Sequence, residues 1–114
     1  MDPHFDGVIF KTHAGELRRR LRVPFPPFCV VDVRPREEYE RGHIPGSVSA
    51  TAADLAGSLP AGTTQRTELF VVGARAEDPE MRAASLALHR LGARRVVEVT
   101  GGIPEWKLAG GALE

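Results

Sequence analysis

Three short apolar runs stand out from an otherwise mixed chain: Cys29 to Val33, Leu69 to Val72 and Val96 to Val99. Each is too short for a helix and rich in β-branched residues, the signature of a strand buried on both faces. Asp32 interrupts the first of them, and Ser47 to Ala50 is a weaker fourth strand. Between the strands the apolar spacing becomes helical. Leu17 and Leu21 lie one turn apart in the segment His13 to Arg22, which predicts a short amphipathic helix with Arg18, Arg19 and Arg20 on its solvated face. Pro24, Pro26 and Pro27 stop it. Pro35 opens a second helix carrying Glu37, Glu38, Tyr39 and Arg41, which Gly42 closes in a left-handed cap, and Leu55 and Leu59 mark a third. The best-defined helix runs through Met81, Ala84, Leu88 and Leu91. Asp78 is its N-cap, Pro79 its first residue, and Gly92 lies beyond its end. A last helix follows Gly101 and Gly102, with Pro104 near its start and Trp106 facing inward.

Strands alternating with helices imply right-handed crossovers and a mostly parallel α/β sheet covered on both faces. With no repeat, low-complexity tract or linker, residues 1–114 read as a single domain. Composition changes this picture little: 42% hydrophobic and 26% charged residues are ordinary globular usage. Fifteen basic and fifteen acidic side chains cancel, so neither nucleic acid nor an anionic membrane surface is an expected partner. No apolar stretch approaches the ~20 residues of a membrane span. The acidic stretch Met1 to Phe10 does not read as a signal peptide. Cys29 is the sole cysteine, which leaves no intramolecular disulfide and no cysteine-based metal cluster, and a reducing, cytoplasmic location is expected. His4, His13 and His89 lack metal-ligand spacing and are read as surface residues, so no metal and no cofactor is expected. The terminal Leu113 and Glu114 carry no functional expectation.

Three stretches carry a more specific signal: Val31-Asp32-Val33-Arg34 with Glu38 and Tyr39, then Gly42-His43-Ile44-Pro45-Gly46-Ser47, then Gly101-Gly102-Ile103 with Trp106 and Gly110. Together they resemble a rhodanese homology domain over nearly the whole chain. The resemblance implies an open, mostly parallel five-stranded sheet flanked by helices on both faces. It also implies transfer of sulfane sulfur, from thiosulfate or a cysteine desulfurase, through a persulfide on a cysteine just after the fourth strand. A thiolate there benefits from inward-pointing backbone N–H groups and from the positive end of the following helix.

Here the chain departs from the pattern. Gly73 occupies the position of the expected nucleophile, and Ala74, Arg75, Ala76, Glu77, Asp78, Pro79 and Glu80 do not reproduce the family's loop, which is about two residues shorter when Gly92 anchors the comparison. From Gly73 to Arg82 there are two basic and three acidic residues, a balance that repels thiosulfate and persulfides. Related phosphatases and arsenate reductases need a cysteine in the same cradle, so the missing thiol counts equally against those activities. The expected function is therefore that of a non-catalytic rhodanese-like module, binding a protein partner or small ligand at the degenerate loop. The alternative is a sulfurtransferase with a non-standard nucleophile or a thiol lent by a partner, and a third reading is a stress or redox accessory protein without small-molecule binding. Cys29, away from the loop, reads as a small buried hydrophobe. By the resemblance Asp32, Arg34 and His43 brace loops around the pocket, while Tyr39 and Trp106 are core residues with a polar edge.

Overall fold

The computed structural model describes residues 9–114. The elements in chain order are β1 (Ile9–His13), α1 (Ala14–Arg20), β2 (Phe28–Asp32), α2 (Arg36–Arg41), β3 (Val48–Ser49), α3 (Ala52–Leu55), β4 (Glu68–Val72), α4 (Pro79–Arg90), β5 (Arg95–Thr100) and α5 (Gly102–Leu108). The five strands form one sheet in the order β1-β5-β4-β2-β3, and every pairing is parallel. The hydrophobic pattern does not disclose β1, because it lies at the sheet edge and buries only Ile9 and Thr12 in part. His13, expected to begin the first helix, ends this strand instead. His4 and most of the Met1 to Phe10 stretch lie outside the described residues.

Alternation within the central strands divides the interior into two layers. Val31, Val33, Leu69, Val71 and Val96 face α3 and α4, where they meet Leu55, Met81, Ala84 and Leu88. Val30, Phe70, Val72, Val97 and Val99 face α1 and α5 and meet Leu17, Ile103 and Trp106. Full burial of each Val, Leu or Ile contributes about 1.5–3 kcal/mol, so the two layers supply most of the folding drive. Local signals set the helix ends. Asp78 caps α4 through the Glu80 amide, Pro79 is its first residue, and Gly92 turns the chain away at φ +94°. Thr51 and Asp54 form a capping box on α3, which ends at Leu55, so Leu59 lies beyond the helix and packs beside the core.

Two expectations, for Gly42 and Arg20, need correction. Gly42 is extended (φ 161°, ψ 131°) rather than left-handed. Its carbonyl is held by Arg34, and the next residue, His43, exchanges backbone hydrogen bonds with Glu114, which draws the chain out straight. The terminal residues are integral to the fold, since Leu113 packs against the α1–α5 layer and Trp106 donates its indole N–H to the carbonyl of Ala112. Arg20 does not belong to a solvated face. Its side chain is only 18% exposed and lies over the Phe28 and Phe70 rings, where it pairs with Glu68 at 2.7 Å and donates to the carbonyls of Val23 and Pro26. Arg18 and Arg19 stay exposed, Arg18 donating to the Ala109 carbonyl and Arg19 pairing with Glu16.

Glu68 is itself buried between Arg20 and Arg95. Removing Arg20 leaves that carboxylate one cation short and frees two carbonyls. Urea denaturation should show Arg20→Ala losing about 2–4 kcal/mol, against less than about 0.5 kcal/mol for Arg19→Ala. Equal effects for the two substitutions would refute the anchoring role.

Candidate functional site

Parallel strands release their chains at one rim of the sheet, and in such folds that rim is where ligands bind. β4 delivers Gly73 there, buried, with its carbonyl accepting from the Ile103 amide at the start of α5. Gly102 (φ +64°) presses on the same loop. A Cβ on it would stand 2.6 Å from the Arg75 nitrogen and 2.7 Å from the Gly73 oxygen, so only glycine permits the approach. From Gly73 the chain passes through exposed Arg75, Ala76 and Glu77 to buried Asp78. Glu77 takes a left-handed conformation at φ 57°, alone among the described non-glycine residues, and this turns the loop back toward its own base.

That return places the Asp78 carboxylate inside the loop. Oδ2 accepts from the Ala74 amide at 2.9 Å and Oδ1 from the Glu80 amide at 3.0 Å. A Cβ added to Gly73 would lie 2.7 Å from Oδ2 and 3.0 Å from the Asp78 Cβ. The room for a side chain at position 73 is thus occupied by an anion belonging to the loop itself. The sequence discloses Asp78 as a helix cap but not as the filling of the loop, since that depends on the backward turn at Glu77. Glu80 accepts from the Ala52 amide at 2.8 Å and ties the loop's far end to α3.

The other anticipated residues lie around this loop without entering it. Asp32 and Arg34 form a buried bidentate pair, with Nε at 3.0 Å from Oδ1 and Nη2 at 2.7 Å from Oδ2, and Nη2 also reaches the Gly42 carbonyl at 2.7 Å. This fastens the end of β2 to the turn after α2. The His43 ring stacks on Tyr39 at 3.8 Å, its Nδ1 stands 2.8 Å from the Tyr39 carbonyl, and its backbone pairs with Glu114. Tyr39 donates its hydroxyl to the Ser47 carbonyl at 2.7 Å. His13 is exposed, but His89 is half-buried, a departure from the surface reading, and burial lowers its pKa.

A cleft of about 460 Å³ opens beside the loop between Ala76, Asp78 and Met81 on one side and Lys11 and Thr100 on the other. Glu98 and Arg82 line it as well. Glu98 is 2% exposed and accepts from Arg82 Nε and Nη2, each at 2.9 Å, and from the Ser85 hydroxyl at 2.9 Å. Burial pushes its pKa up, but the hydrogen bonds from Arg82 and Ser85 and the charges of Arg82 and Lys11 outweigh this and leave it lowered. The sequence conceals Glu98 inside an apolar strand, and only its strict alternation with Val96 toward α4 marks it as inward. Among the described residues no three His, Cys, Asp or Glu side chains converge as a metal ion requires, and no helix is long and apolar enough to cross a membrane.

Comparison with known proteins decides the family. The family model described as the rhodanese-like domain matches residues 13–109. The chain belongs to the rhodanese-like family. An HTH-type transcriptional regulator of Mycobacterium tuberculosis is 37% identical over 99 residues, which are 87% of this chain and 42% of that protein, so the chain spans less than half of this curated relative. The solution structure of the rhodanese-like domain of the Alr3790 protein from Anabaena sp. is 30% identical with a TM-score of 0.78, covering 94% of this chain and 80% of that one. A single-domain sulfurtransferase of Saccharomyces cerevisiae has a TM-score of 0.76 over 93% of this chain and 94% of that one, and at 20% identity it shares the fold.

Within this rhodanese frame Cys29 is remote from the loop. It pairs in register with Leu69, four residues before Gly73, which sets it about 13 Å down the sheet at ~3.3 Å per residue. It is half-buried against the α3–α4 layer, and burial raises its thiol pKa.

Two substitutions test the loop and its cleft. Asp78→Ala removes both a helix cap and the brace on Ala74; chemical denaturation should register a loss of about 1–3 kcal/mol, with faster amide exchange at Ala74 and Glu80, and Asp78→Ser should recover part of it. Unchanged exchange at both amides would contradict the brace. Because the Glu98 pKa is lowered in the folded state, its stabilisation is fully present above the ordinary glutamate range and is lost as pH falls through the folded value. Urea midpoints measured from neutral pH down to about pH 3 should therefore fall on acidification, and Glu98→Gln should flatten that acid limb. An acid limb of the same slope in the variant would show that Glu98 does not produce it.

Proposed function

We propose that this rhodanese-like domain is a non-catalytic module that binds a protein partner or small ligand at the mouth of the loop 73–80. The observation that carries the reading is the Asp78 carboxylate, seated where the side chain of residue 73 would project and satisfied there by the Ala74 and Glu80 amides. A persulfide is an anion and needs that space together with donors free to receive it. At position 73 the Asp78 side chain stands in that space and takes the Ala74 and Glu80 amides. For the alternative sulfurtransferase reading the chain's own thiol is Cys29, whose raised pKa and remote position make it a poor nucleophile for chemistry at this rim, so that reading turns on a thiol lent by a partner. Similarity to a transcriptional regulator of more than twice this length supports a sensing or docking role, since in that protein the related segment accompanies other sequence.

Two hollows flank Ala76 and supply room for recognition. One is the cleft with Lys11 and Met81 described above, and the other, of about 530 Å³, is lined by His13, Thr100, Glu105 and Leu108. Both fall within the ordinary range of ligand pockets, about 300–1,000 Å³.

The test is a thiosulfate to cyanide sulfurtransferase assay combined with intact-protein mass measurement. The native protein should be inert, and Gly73→Cys alone should stay inert because Asp78 contests the position. Gly73→Cys combined with Asp78→Ser, which retains a capping side chain, should acquire the mass of one added sulfur after thiosulfate treatment. Turnover by the native protein that disappears in a folded Cys29→Ala variant would overturn the proposal.

A further inference from the structure

A third, smaller hollow lies where the end of β2, helix α2, helix α5 and the terminal tail meet. Its volume is about 160 Å³, and its lining includes Arg34, Glu38, Arg41, Ile103, Lys107 and Leu113. This is below the pockets that hold drug-sized molecules, about 300 Å³ and upward, yet several times the ~30 Å³ share of one water. It fits a small ion with part of its hydration.

The chemistry of the lining is one-sided. Arg34 is 8% exposed, and its Nε and Nη2 are engaged by Asp32 and the Gly42 carbonyl. Its Nη1 has no hydrogen-bond partner among the described residues, so a nine-tenths buried guanidinium brings an idle donor to this hollow. Arg41 and Lys107 are exposed and have no ion-pair partner among the described residues. Asp32 neutralises Arg34, and Glu38 is the one carboxylate on the lining, so Arg41 and Lys107 leave an excess of one positive charge. Ile103 and Leu113 contribute apolar wall that limits solvent screening.

We propose that this hollow binds a small tetrahedral oxyanion of sulfate or phosphate size. Arg34, held rigid by Asp32, supplies a fixed donor on the inner side, and Arg41 and Lys107 close over the outer side. A guanidinium fork matches oxyanion geometry, and a pre-positioned one loses little side-chain freedom on binding. The site is distinct from the loop 73–80, whose anion position Asp78 fills, and it does not depend on whether that loop is catalytic.

The experiment is an amide and arginine Nε correlation spectrum of the labelled protein during titration with sodium sulfate or sodium phosphate, against sodium chloride at equal ionic strength. Saturable shifts are expected at Gly42, Ile103, Lys107 and Arg34 Nε. Arg41→Gln and Lys107→Gln should each weaken binding roughly threefold, and the double variant roughly tenfold, with unchanged thermal midpoints in the absence of the ion. Arg90→Gln, exposed on α4, should bind as the native protein does. The proposal fails if the shifts match those in chloride, or saturate at the same ion concentration in the double variant as in the native protein. It also fails if they centre on Ala74 and Glu80, a result that would count against the Asp78-filled loop as well.

Discussion

Because the paired strands all run in one direction, each strand-to-helix connection leaves the sheet at the same rim, and each return begins at the opposite one. Helices must then cover both faces, since the alternating side chains of β2, β4 and β5 are apolar on both sides. The interior is thereby closed to chemistry, and polar groups concentrate at the two rims. At one of them stand Asp32, Arg34, Gly73 and Asp78. At the other, Arg20 and Arg95 hold Glu68 at the start of β4. The first arrangement shapes the loop 73–80 and its surroundings, whereas the second fastens α1 to the sheet.

The loop 73–80 shows how a cradle suited to an anion can be completed internally. Short side chains at Gly73 and Ala74 leave space, and the turn at Glu77 brings Asp78 back into it. One carboxylate thus serves two purposes, starting α4 and filling the loop. Its oxygens are shared between the Ala74 and Glu80 amides, so neither purpose is met at the other's expense.

Much of this was legible in the sequence, for reasons specific to each element. The buried strands announce themselves because valine-rich runs have no alternative in a chain of this composition, and α4 does so because Asp78, Pro79 and Gly92 act locally. The Asp32, Arg34 and His43 positions were readable from the family pattern, but their partners at Gly42, Tyr39 and Glu114 were not. Edge strand β1 has too little apolar alternation to be visible. Arg20 looks like its neighbours Arg18 and Arg19 until Phe28 and, from far along the chain, Glu68 and Phe70 are brought beneath it. Glu98 is hidden for the converse reason: a carboxylate within a valine strand is acceptable only when a helix elsewhere provides Arg82 and Ser85.

The contact of Gly102 with the loop has a wider consequence. The backbone path from Gly73 to Arg75 is moulded by the first turn of α5, some thirty residues downstream, and by Asp78, while the side chains of Arg75 and Ala76 stand exposed. A template imposed from outside lets the side chains it carries be exchanged while the contour survives. Sequence drift in the exposed side chains of Arg75 and Ala76 can therefore change the chemistry of the rim with little penalty to the architecture, whereas any side chain at Gly102 would deform the contour itself. In this domain the segment that sets the surface chemistry of the rim and the segment that sets its shape are different ones.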